Sequence, residues 1–316
     1  MGIPAAIALA LLLDALLGDP AWLPHPVRLI GALAARAEGW CRRVLGDGRL
    51  AGVSCVGLVL FLTGAAGWAL LRGAAWLHPW LGTLASILLL YTCFAARDLL
   101  AHSRRVHAAL AAGDLQEARR RAGMMVGRDT GHLDRAEVVR ATVESVAENS
   151  ADGVVGPLFW AALAGPLGAL LYKAASTLDS TFGYTSERYR HFGWAAARLD
   201  DLVNLLPARL TGLLLVLAAA LLPGASGGHA WRIFWRDRYR HPSPNAGHPE
   251  AAAAGALGLQ LGGTSWYSGQ AKAKPFLGDP HQEASLHHIL LANRLAALVT
   301  ALAALLLVGL RLAVAG

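Results

Sequence analysis

Residues 128–157 read R-D-T-G-H-L-D-R-A-E-V-V-R-A-T-V-E-S-V-A-E-N-S-A-D-G-V-V-G-P, and this charged block stands directly before an apolar segment. Asp134 followed three residues later by Glu137 is the capping-box pattern that begins a helix. No Pro or Gly interrupts the chain from there to Asp152, and Gly153 is expected to end the helix. The block therefore predicts a polar helix that ends at a membrane-like surface.

One face of this predicted helix carries a cation followed by three carboxylates. Arg140, Glu144, Glu148 and Asp152 recur every four residues, which puts them on one side of a helix. Such spacing usually marks a solvated face whose ion pairs contribute roughly a few tenths of a kcal/mol each. Successive like charges are instead mildly destabilising, so a bound cation or cationic substrate group explains them better. We predict that Glu144, Glu148 and Asp152 are catalytic acids that hold Mg²⁺ or receive a proton.

The composition of the whole chain favours a multi-span membrane protein over a soluble helical bundle. The 316 residues are 55% hydrophobic and only 16% charged, and the mean hydropathy is +0.43. The formal charge of +7 is better explained by basic cytoplasmic loops than by nucleic-acid binding. The three cysteines form no CxxC pattern, so neither a disulfide framework nor a zinc site is indicated.

We predict an all-α, polytopic integral membrane protein that forms a single membrane-embedded domain over residues 1–316. About five to six apolar segments are long enough to be spans, with broken or re-entrant segments where Gly-Pro pairs occur at 156–157 and 165–166. A polar helical insert is expected at 97–153 and a long loop at 223–285. The expected spans lie near 3–17, 53–71, 80–96, 154–171, 205–222 and 295–315.

The distribution of arginines predicts the topology. The segment 97–153 holds nine arginines, whereas the 72–79 turn holds only Arg72. By the positive-inside rule, the polar insert 97–153 is cytoplasmic in a multi-pass protein of the cell (inner) membrane. Within it, residues 114–121 read as a short amphipathic helix.

Three further polar motifs adjoin the apolar segments. D-D-x-x-N at 200–204 puts Asp200 and Asn204 on one helix face, as a magnesium or diphosphate site would, although a helix cap or an ion pair explains the match equally well. H-P-S-P-N-A-G at 241–247 is either a plain turn or a binding loop. S-T-L-D-S-T-F-G-Y-T-S-E-R-Y at 176–189 brings acids and a cation together. No P-loop is present, and Lys272 and Lys274 follow a Gly-rich stretch that either meets phosphate or is mobile.

Taken together, these blocks resemble the CobD/CbiB family of cobalamin biosynthesis, the membrane-bound adenosylcobinamide-phosphate synthases. The resemblance covers nearly the whole chain in order. It rests on G-D-P-A-W-L-P-H-P-V-R-L-I-G, R-D-T, R-A-T-V-E-S-V-A-E-N-S-A-D-G-V-V-G-P-L-F-W, T-L-D-S, F-G-W-A-A-A-R-L-D-D-L-V-N-L-L-P-A-R, H-P-S-P-N-A-G and L-G-G.

The resemblance implies an ATP-dependent amide ligase. Adenosylcobyric acid would be joined to (R)-1-amino-2-propanol or its O-phosphate, with ATP as co-substrate and Mg²⁺ as cofactor. Carboxylate activation brings polyphosphate, Mg²⁺ and clustered acids together, which agrees with the acidic helix. The expected partners are the corrinoid, the amino alcohol and the lipid bilayer, with no nucleic acid. A second copy of the chain and later membrane enzymes of the pathway are further candidates.

The site residues follow from the motifs. A phosphate-bearing substrate is expected to contact Arg128 and Arg188, because arginine binds phosphate in bidentate geometry. Metal ligation is assigned to Glu148, Asp152, Asp200, Asp201 and Asn204. Substrate binding is assigned to His25, Arg28, Arg128, Asp129, Thr130, Asn149, Asp179, Arg188, His241, Ser243 and Asn245.

Two alternatives stay open. Broken spans and intramembrane acids are also traits of transporters, although no repeat of hydropathy between two halves is found. A non-catalytic membrane signalling protein of the related AmpE type is the other alternative, and it would be expected to lack the acid-rich blocks that this chain retains.

Overall fold

The computed structural model describes residues 2–20, 25–183, 186–267 and 269–315, which are almost entirely helical. Parts of three predicted motifs, at 21–24, 184–185 and 268, lie outside the described residues. The elements in chain order are α1 (Ile3–Leu17), α2 (Pro26–Leu45), α3 (Arg49–Leu77), α4 (Pro79–Tyr91), α5 (Ala96–Ala111), α6 (Leu115–Gly123), α7 (Arg135–Ser150), a π-helical turn (Ala151–Val155), α8 (Gly156–Phe182), α9 (Trp194–Val203), α10 (Leu205–Leu221), α11 (Gly227–Asp237), α12 (Gly247–Leu257), β1 (Leu261–Tyr267), β2 (Gln270–Leu277) and α13 (Leu286–Ala315).

The predicted class, an all-α polytopic membrane protein, is confirmed. Among the described residues, four helical runs are long and apolar enough to cross a membrane. A fifth span results if α9 and α10, which meet at 48°, count as one broken span. Helix α1 is apolar, but its 15 residues reach only about 22 Å, less than a ~30 Å hydrocarbon core. The four long runs are Arg49–Leu77, Pro79–Ala111, Arg135–Phe182 and Leu286–Val314.

The chain forms two compact units. The first unit contains Met1–Ala95, Gly156–Asn204 and Leu306–Gly316, and the second contains Ala96–Val155 and Leu205–Leu305. The single domain expected from the sequence stays a prediction.

The core of the first unit lies where α2, α3, α8 and the 186–193 segment meet. Phe182 and Phe192 are fully buried there, with ring centroids 5.3 Å apart. Gly52 of α3 allows a close approach, because a Cβ at this position would lie 1.9 Å from the carbonyl oxygen of Phe192. Glycine at this position therefore lets the 186–193 segment pack directly on α3.

The second unit is organised around α12, whose eleven residues are all buried. The helix is rich in Ala and Gly, so α7, α10 and α11 can approach it closely. A Cβ on Gly255 would lie 2.6 Å from the carbonyl oxygen of His229, at the start of α11. The β1–β2 hairpin also contacts α12.

The prediction that Gly153 ends the acidic helix is wrong. The capping box at Asp134 and Glu137 begins α7 as expected, but the helix continues through the π-helical turn into α8. A π-turn inserts an extra residue into the hydrogen-bond ladder, which accommodates Gly153 and the missing N–H of Pro157. The break expected further along occurs at Gly165, whose φ of +68° is not helical.

Two predicted loops are also corrected. The long loop expected at 223–285 contains α11, α12 and both strands. The region after the proline-rich stretch is a helix, because His25 caps α2 and Pro26 occupies its first turn, where proline is tolerated. The prolines at 20, 24 and 26 predict a rigid loop over residues 18–31 that includes His25 and Arg28, whereas Arg28 lies in α2. The short helix predicted at 114–121 is confirmed as α6, with Asp114 as its N-cap.

Candidate functional site

A polar cavity of about 200 Å³ lies within the second unit, against the acidic face of α7. Its walls come from α7, from the segment before α7, from the β1–β2 hairpin and from α12. Three carboxylates and two cations lie among its lining residues, which are Met125, Val126, Gly127, Arg128, Ala141, Glu144, Ser145, Glu148, Glu250, Tyr267 and Lys274.

Arg128 and Glu144 form a nearly buried ion pair in this cavity. Arg128 Nη2 lies 2.6 Å from Glu144 Oε2, and the two side chains are 11% and 10% exposed. Glu144 Oε1 also accepts a hydrogen bond of 2.7 Å from the backbone N–H of Gly262, and Arg128 Nη1 donates to Ser265 Oγ at 2.7 Å. Glu144 thus anchors the hairpin to α7, a structural task that the sequence did not predict.

Glu250 is the residue of this cavity that the sequence analysis missed. Its side chain is 6% exposed and it shares the cavity with Glu148 of α7. Burial, and then the charges of Glu148 and Glu144, raise the pKa of Glu250 well above its usual value, although Lys274 and Arg128 oppose them. The only sequence signal was an acid just after the H-P-S-P-N-A-G motif, and packing of α12 against α7 brings it into the cavity.

Lys274 of β2 contributes a cation to the same cavity. Burial alone would lower the pKa of Lys274, but the hydroxyl of Tyr267 and the charges of Glu250 and Glu144 raise it overall. Lys274 therefore keeps its proton at neutral pH and cannot serve as a base. Of the two lysines considered in the sequence, Lys274 lines the cavity, whereas Lys272 is exposed.

The H-P-S-P-N segment is a turn that leads into α12. The backbone N–H of Ser243 donates to His241 Nδ1 at 3.0 Å, and Ser243 Oγ accepts from the backbone N–H groups of Asn245 and Ala246. Burial, and then the charge of Lys274, lower the pKa of His241 to about 4, so the ring is neutral at pH 7. Because Nδ1 accepts, Nε2 carries the proton, and it lies 3.9 Å from Glu250 Oε1.

The charged stripe predicted on α7, which is made of Arg140, Glu144, Glu148 and Asp152, does not line the cavity along its whole length. Glu144 and Glu148 line it, but Asp152 stands in the π-helical turn and is not among the lining residues. Arg140, at the other end of the stripe, lies 3.9 Å from Glu137. Asn149 donates to Ser145 one turn earlier. The π-turn explains the separation of Asp152, because the extra residue rotates its side chain away from the i, i+4 line.

Asp129 and Thr130 are used by the fold itself. The Asp129 carboxylate accepts from the backbone N–H of Gly269 at 2.8 Å, and its own N–H donates to the carbonyl oxygen of Trp266 at 2.8 Å. Thr130 Oγ1 donates to the carbonyl oxygen of Arg119 at 2.8 Å. The R-D-T motif therefore holds the hairpin against the start of α7, and only Arg128 of the motif lines the cavity.

The remaining predicted site residues belong to the first unit. His25 accepts from the backbone N–H of Val27 and its Nε2 lies 3.5 Å from Asp19, while Arg28 is exposed on α2. Arg188 donates to Glu38 at 3.0 Å, so this predicted phosphate ligand is paired with a carboxylate. Asp179 lies on α8, close enough to Asp201 for the two negative charges to repel each other.

The D-D-x-x-N motif has the geometry predicted for it. Asp200 and Asn204 face the same way, with Asn204 Nδ2 3.1 Å from Asp200 Oδ2. Asn204 is 1% exposed, and its Oδ1 accepts a hydrogen bond of 2.7 Å from Tyr172. The Asn204 amide therefore links the end of α9 to Tyr172 of α8.

Among the described residues, no three His, Cys, Asp or Glu side chains are grouped so as to hold a metal ion. Magnesium in nucleotide enzymes is bound through one or two carboxylates plus substrate phosphates. The Glu148 carboxylate would fit that arrangement only if phosphate oxygens of a substrate completed the coordination. The five-residue ligand set predicted from the sequence is divided between the two units, with Glu148 and Asp152 in the second.

A larger cavity of about 660 Å³ lies in the first unit, between α3, α8 and α9. None of the described residues that line it is a carboxylate or a cation. Despite its size, it holds no group suited to acid–base or phosphate chemistry, and the smaller polar cavity is the candidate active site.

Comparison with known proteins identifies the family of the chain. The family model described as CobD/Cbib protein matches residues 7–296. Three relatives, each named cobalamin biosynthesis protein CobD, are similar along most of their length. The relative from Geobacter metallireducens is 55% identical over 87% of this chain and 86% of its own. The one from Leptospira interrogans serovar copenhageni is 45% identical over 92% of both, and the one from Citrobacter koseri 43% over 98% of both. No solved structure matches.

Proposed function

The chain belongs to the CobD/Cbib family of cobalamin biosynthesis proteins, and from this premise we propose that it is an ATP-dependent amide ligase. The reaction proposed joins a propionate of adenosylcobyric acid to (R)-1-amino-2-propanol or its O-phosphate, and gives adenosylcobinamide or its phosphate. The observation that carries the proposal is the polar cavity beside α7, which is lined by Glu148 and Glu250 together with Arg128 and Lys274.

The charges of the cavity suit the smaller substrate. An aliphatic amine is an ammonium at neutral pH, and a buried carboxylate such as Glu250 attracts it strongly because few waters screen the charge. Glu148 is exposed and lines the same cavity. Arg128 and Lys274 offer donors for a phosphate oxygen. The corrinoid is far larger than a 200 Å³ cavity, so only its reacting propionate would reach these residues.

The chemistry requires the carboxylate to be activated before the amine attacks. A carboxylate oxygen of the acid would attack the γ-phosphorus of ATP, which would give the acyl phosphate and release ADP. Mg²⁺ held by Glu148 would neutralise charge on the phosphates. The ammonium gives one proton to a cavity carboxylate, and its lone pair then forms the C–N bond. The C–O bond to phosphate breaks with its electron pair, and the second nitrogen proton leaves with the phosphate.

Glu250 suits the role of proton acceptor. A general base is most effective when its pKa lies near the working pH, and burial raises the pKa of Glu250 in that direction. Glu144 is less suited, because Arg128 and the Gly262 N–H occupy its oxygens. His241 Nε2 lies 3.9 Å from Glu250 Oε1, too far for a hydrogen bond, and has no hydrogen-bond partner among the described residues.

The test is product formation by the purified full chain in detergent. Incubation with adenosylcobyric acid, the amino alcohol phosphate, ATP and Mg²⁺ should give a corrinoid whose mass equals the sum of the two substrates minus water. Parallel reactions with the free amino alcohol, and without ATP, identify the amine and the energy source. If the monodisperse protein formed no new covalent product, the ligase assignment would fail and the transporter alternative would be tested by uptake into proteoliposomes.

A further inference from the structure

Helix α11 presents an aromatic face that no described part of the second unit covers. Its inner face packs on α10 and α12 through Ala230, Ile233, Phe234 and Asp237, at the i, i+3, i+4, i+7 spacing of one helix side. On the outer side, Trp231, Trp235 and Tyr239 are 50%, 49% and 67% exposed. Such a row of large aromatic side chains is unusual at a water-facing surface and typical of a membrane–water interface.

The start of α11 lies at the end of a predicted span. Only residues 222–226 separate it from α10, which belongs to the broken span formed with α9. A Cβ on Gly227, the first residue of α11, would lie 2.6 Å from the Cβ of Ala220 in the last turn of α10. The start of α11 is therefore in contact with the last turn of α10, and the eleven residues of α11 are too few to cross a membrane.

The outer side of α11 is also positively charged. Arg232 and Arg236 pair with Asp279 at 2.9 and 2.8 Å, and Arg236 and Arg240 pair with the buried Asp237 at 2.7 and 3.2 Å. With Arg238, four arginines face two carboxylates, so the surface keeps a net positive charge that attracts anionic headgroups.

Among the described residues, Arg238 has no carboxylate partner, unlike the other three arginines of this surface. Its guanidinium carbon lies 3.5 Å from the ring centroid of Trp235, 4.7 Å from that of Tyr239 and 5.1 Å from that of Phe234. Nη1 is buried without a hydrogen-bond partner in the described part of the chain, so it is closed to a ligand. Nε and Nη2 are not among the buried atoms that lack a partner, and they are the donors left for a phosphate oxygen.

We propose that α11 lies in the membrane–water interface and that Arg238 binds the phosphate of an anionic phospholipid there. Trp231, Trp235 and Tyr239 pack against the glycerol and upper acyl region of the same lipid leaflet. The lipid phosphate accepts from the donors of Arg238, while the surplus positive charge of the helix selects anionic over zwitterionic headgroups. This surface is independent of the polar cavity and of the ligase assignment.

Native mass spectrometry of the detergent-purified full chain tests the proposal, with dioctanoyl phosphatidylglycerol as the probe. Wild-type protein should retain the lipid, and Arg238→Gln should weaken retention by roughly tenfold, because a charge-assisted contact to phosphate is lost. Arg240→Gln is the matched control, since that arginine has a carboxylate partner, and it should stay within about twofold of wild type. Arg238→Lys should fall between wild type and Arg238→Gln, because the charge remains without the planar stack.

Two further experiments test whether the bound phosphate belongs to a lipid and whether α11 lies at the membrane surface. Millimolar inorganic phosphate should not displace the lipid, and dioctanoyl phosphatidylcholine should bind more weakly. In nanodiscs containing brominated lipid, quenching of total tryptophan emission should fall when Trp231 and Trp235 are both changed to Phe. Equal retention by wild type and Arg238→Gln, displacement by inorganic phosphate, or unchanged quenching in the double variant would each overturn the proposal.

Discussion

Glu148 is the residue whose replacement separates catalysis from folding most cleanly. Glu148→Gln keeps the side-chain shape and removes its charge from the cavity, so turnover should fall by roughly two orders of magnitude or more, the scale of a lost acid–base group. The exposed Glu283→Gln is the matched control and should leave turnover unchanged. Turnover is measured as amide product per enzyme, beside the gel-filtration profile in detergent.

Hydroxylamine distinguishes the two roles predicted for Glu148. As a nucleophile that is neutral at pH 7, it traps an acyl phosphate without losing a proton to the enzyme. If Glu148 accepts the proton of the amine, Glu148→Gln should still form the hydroxamate. If Glu148 instead binds Mg²⁺, the variant should lose hydroxamate formation as well.

Near-normal turnover in Glu144→Gln, Glu148→Gln and Asp152→Asn alike would show that the three carboxylates of α7 and the π-helical turn are not needed for catalysis. The structure ranks Asp152 as the least sensitive of the three, because Asp152 does not line the cavity.

Two buried histidines predict how stability depends on pH. Burial lowers the pKa of His241 and of His248 to about 4, from 6.5 in an unfolded chain. Between these values the unfolded state binds more protons, so the free energy of unfolding falls as the pH drops from 6.5 to 4, by on the order of 2–3 kcal/mol for each histidine. The unfolding temperature in detergent should therefore fall as the pH drops from 6.5 to 4, and it should fall less in the His241→Asn/His248→Asn double variant. If the unfolding temperatures of the two proteins fell equally with pH, the lowered pKa values of the two histidines would be refuted.

At the residue level, the sequence located half of the candidate site. Glu144, Glu148 and Arg128 were visible as a charged face and a motif next to it, because helical spacing alone puts them near one another. Glu250 was not visible, and Lys274 was only one of two candidate lysines, because the sequence analysis treated the short buried helix and the hairpin that carry them as loop. Their place in the cavity depends on long-range packing, which no local pattern encodes.

At the level of elements, close backbone contact at Gly52 holds the first unit together. Gly52→Ala would put a Cβ 1.9 Å from the carbonyl oxygen of Phe192, so α3 and the 186–193 segment would have to separate. We expect a loss of about 1–3 kcal/mol, the usual range for overpacking, seen as a lower unfolding temperature. Gly57→Ala in the same helix is the matched control, because nothing lies within 4 Å of its Cβ, and it should be neutral or slightly stabilising. Equal unfolding temperatures for the two variants would contradict the packing described.

The elements that the sequence predicted well have strong local signals. The capping box began α7 where expected, and Asp114 began α6. The π-helical turn at 151–155 was missed because glycine normally ends a helix, whereas here Gly153 lies within the turn. Helix α12 was also missed. Helix α12 is an Ala- and Gly-rich segment without an amphipathic period, and its burial comes from its neighbours.

At the level of the whole molecule, the arginine distribution predicts that residues 97–153 face the cytoplasm. The three native cysteines are buried, so an added cysteine can be labelled in intact cells over a low background. Gln116 is exposed on α6, and Gln116→Cys should be protected from an impermeant maleimide. Leu77→Cys, at a position 69% exposed where α3 ends, should react from outside. Labelling of Gln116→Cys from outside would reverse the predicted topology.

The most direct measurement of the central claim follows an oxygen atom of the corrinoid carboxylate. Adenosylcobyric acid labelled with ¹⁸O in the reacting carboxylate is incubated with the purified chain, the amino alcohol phosphate, ATP and Mg²⁺. An amide ligase that activates the acid as an acyl phosphate should transfer one labelled oxygen to inorganic phosphate for each amide formed. Amide product accompanied by unlabelled phosphate, or labelled acid recovered unchanged after full incubation, would contradict the account.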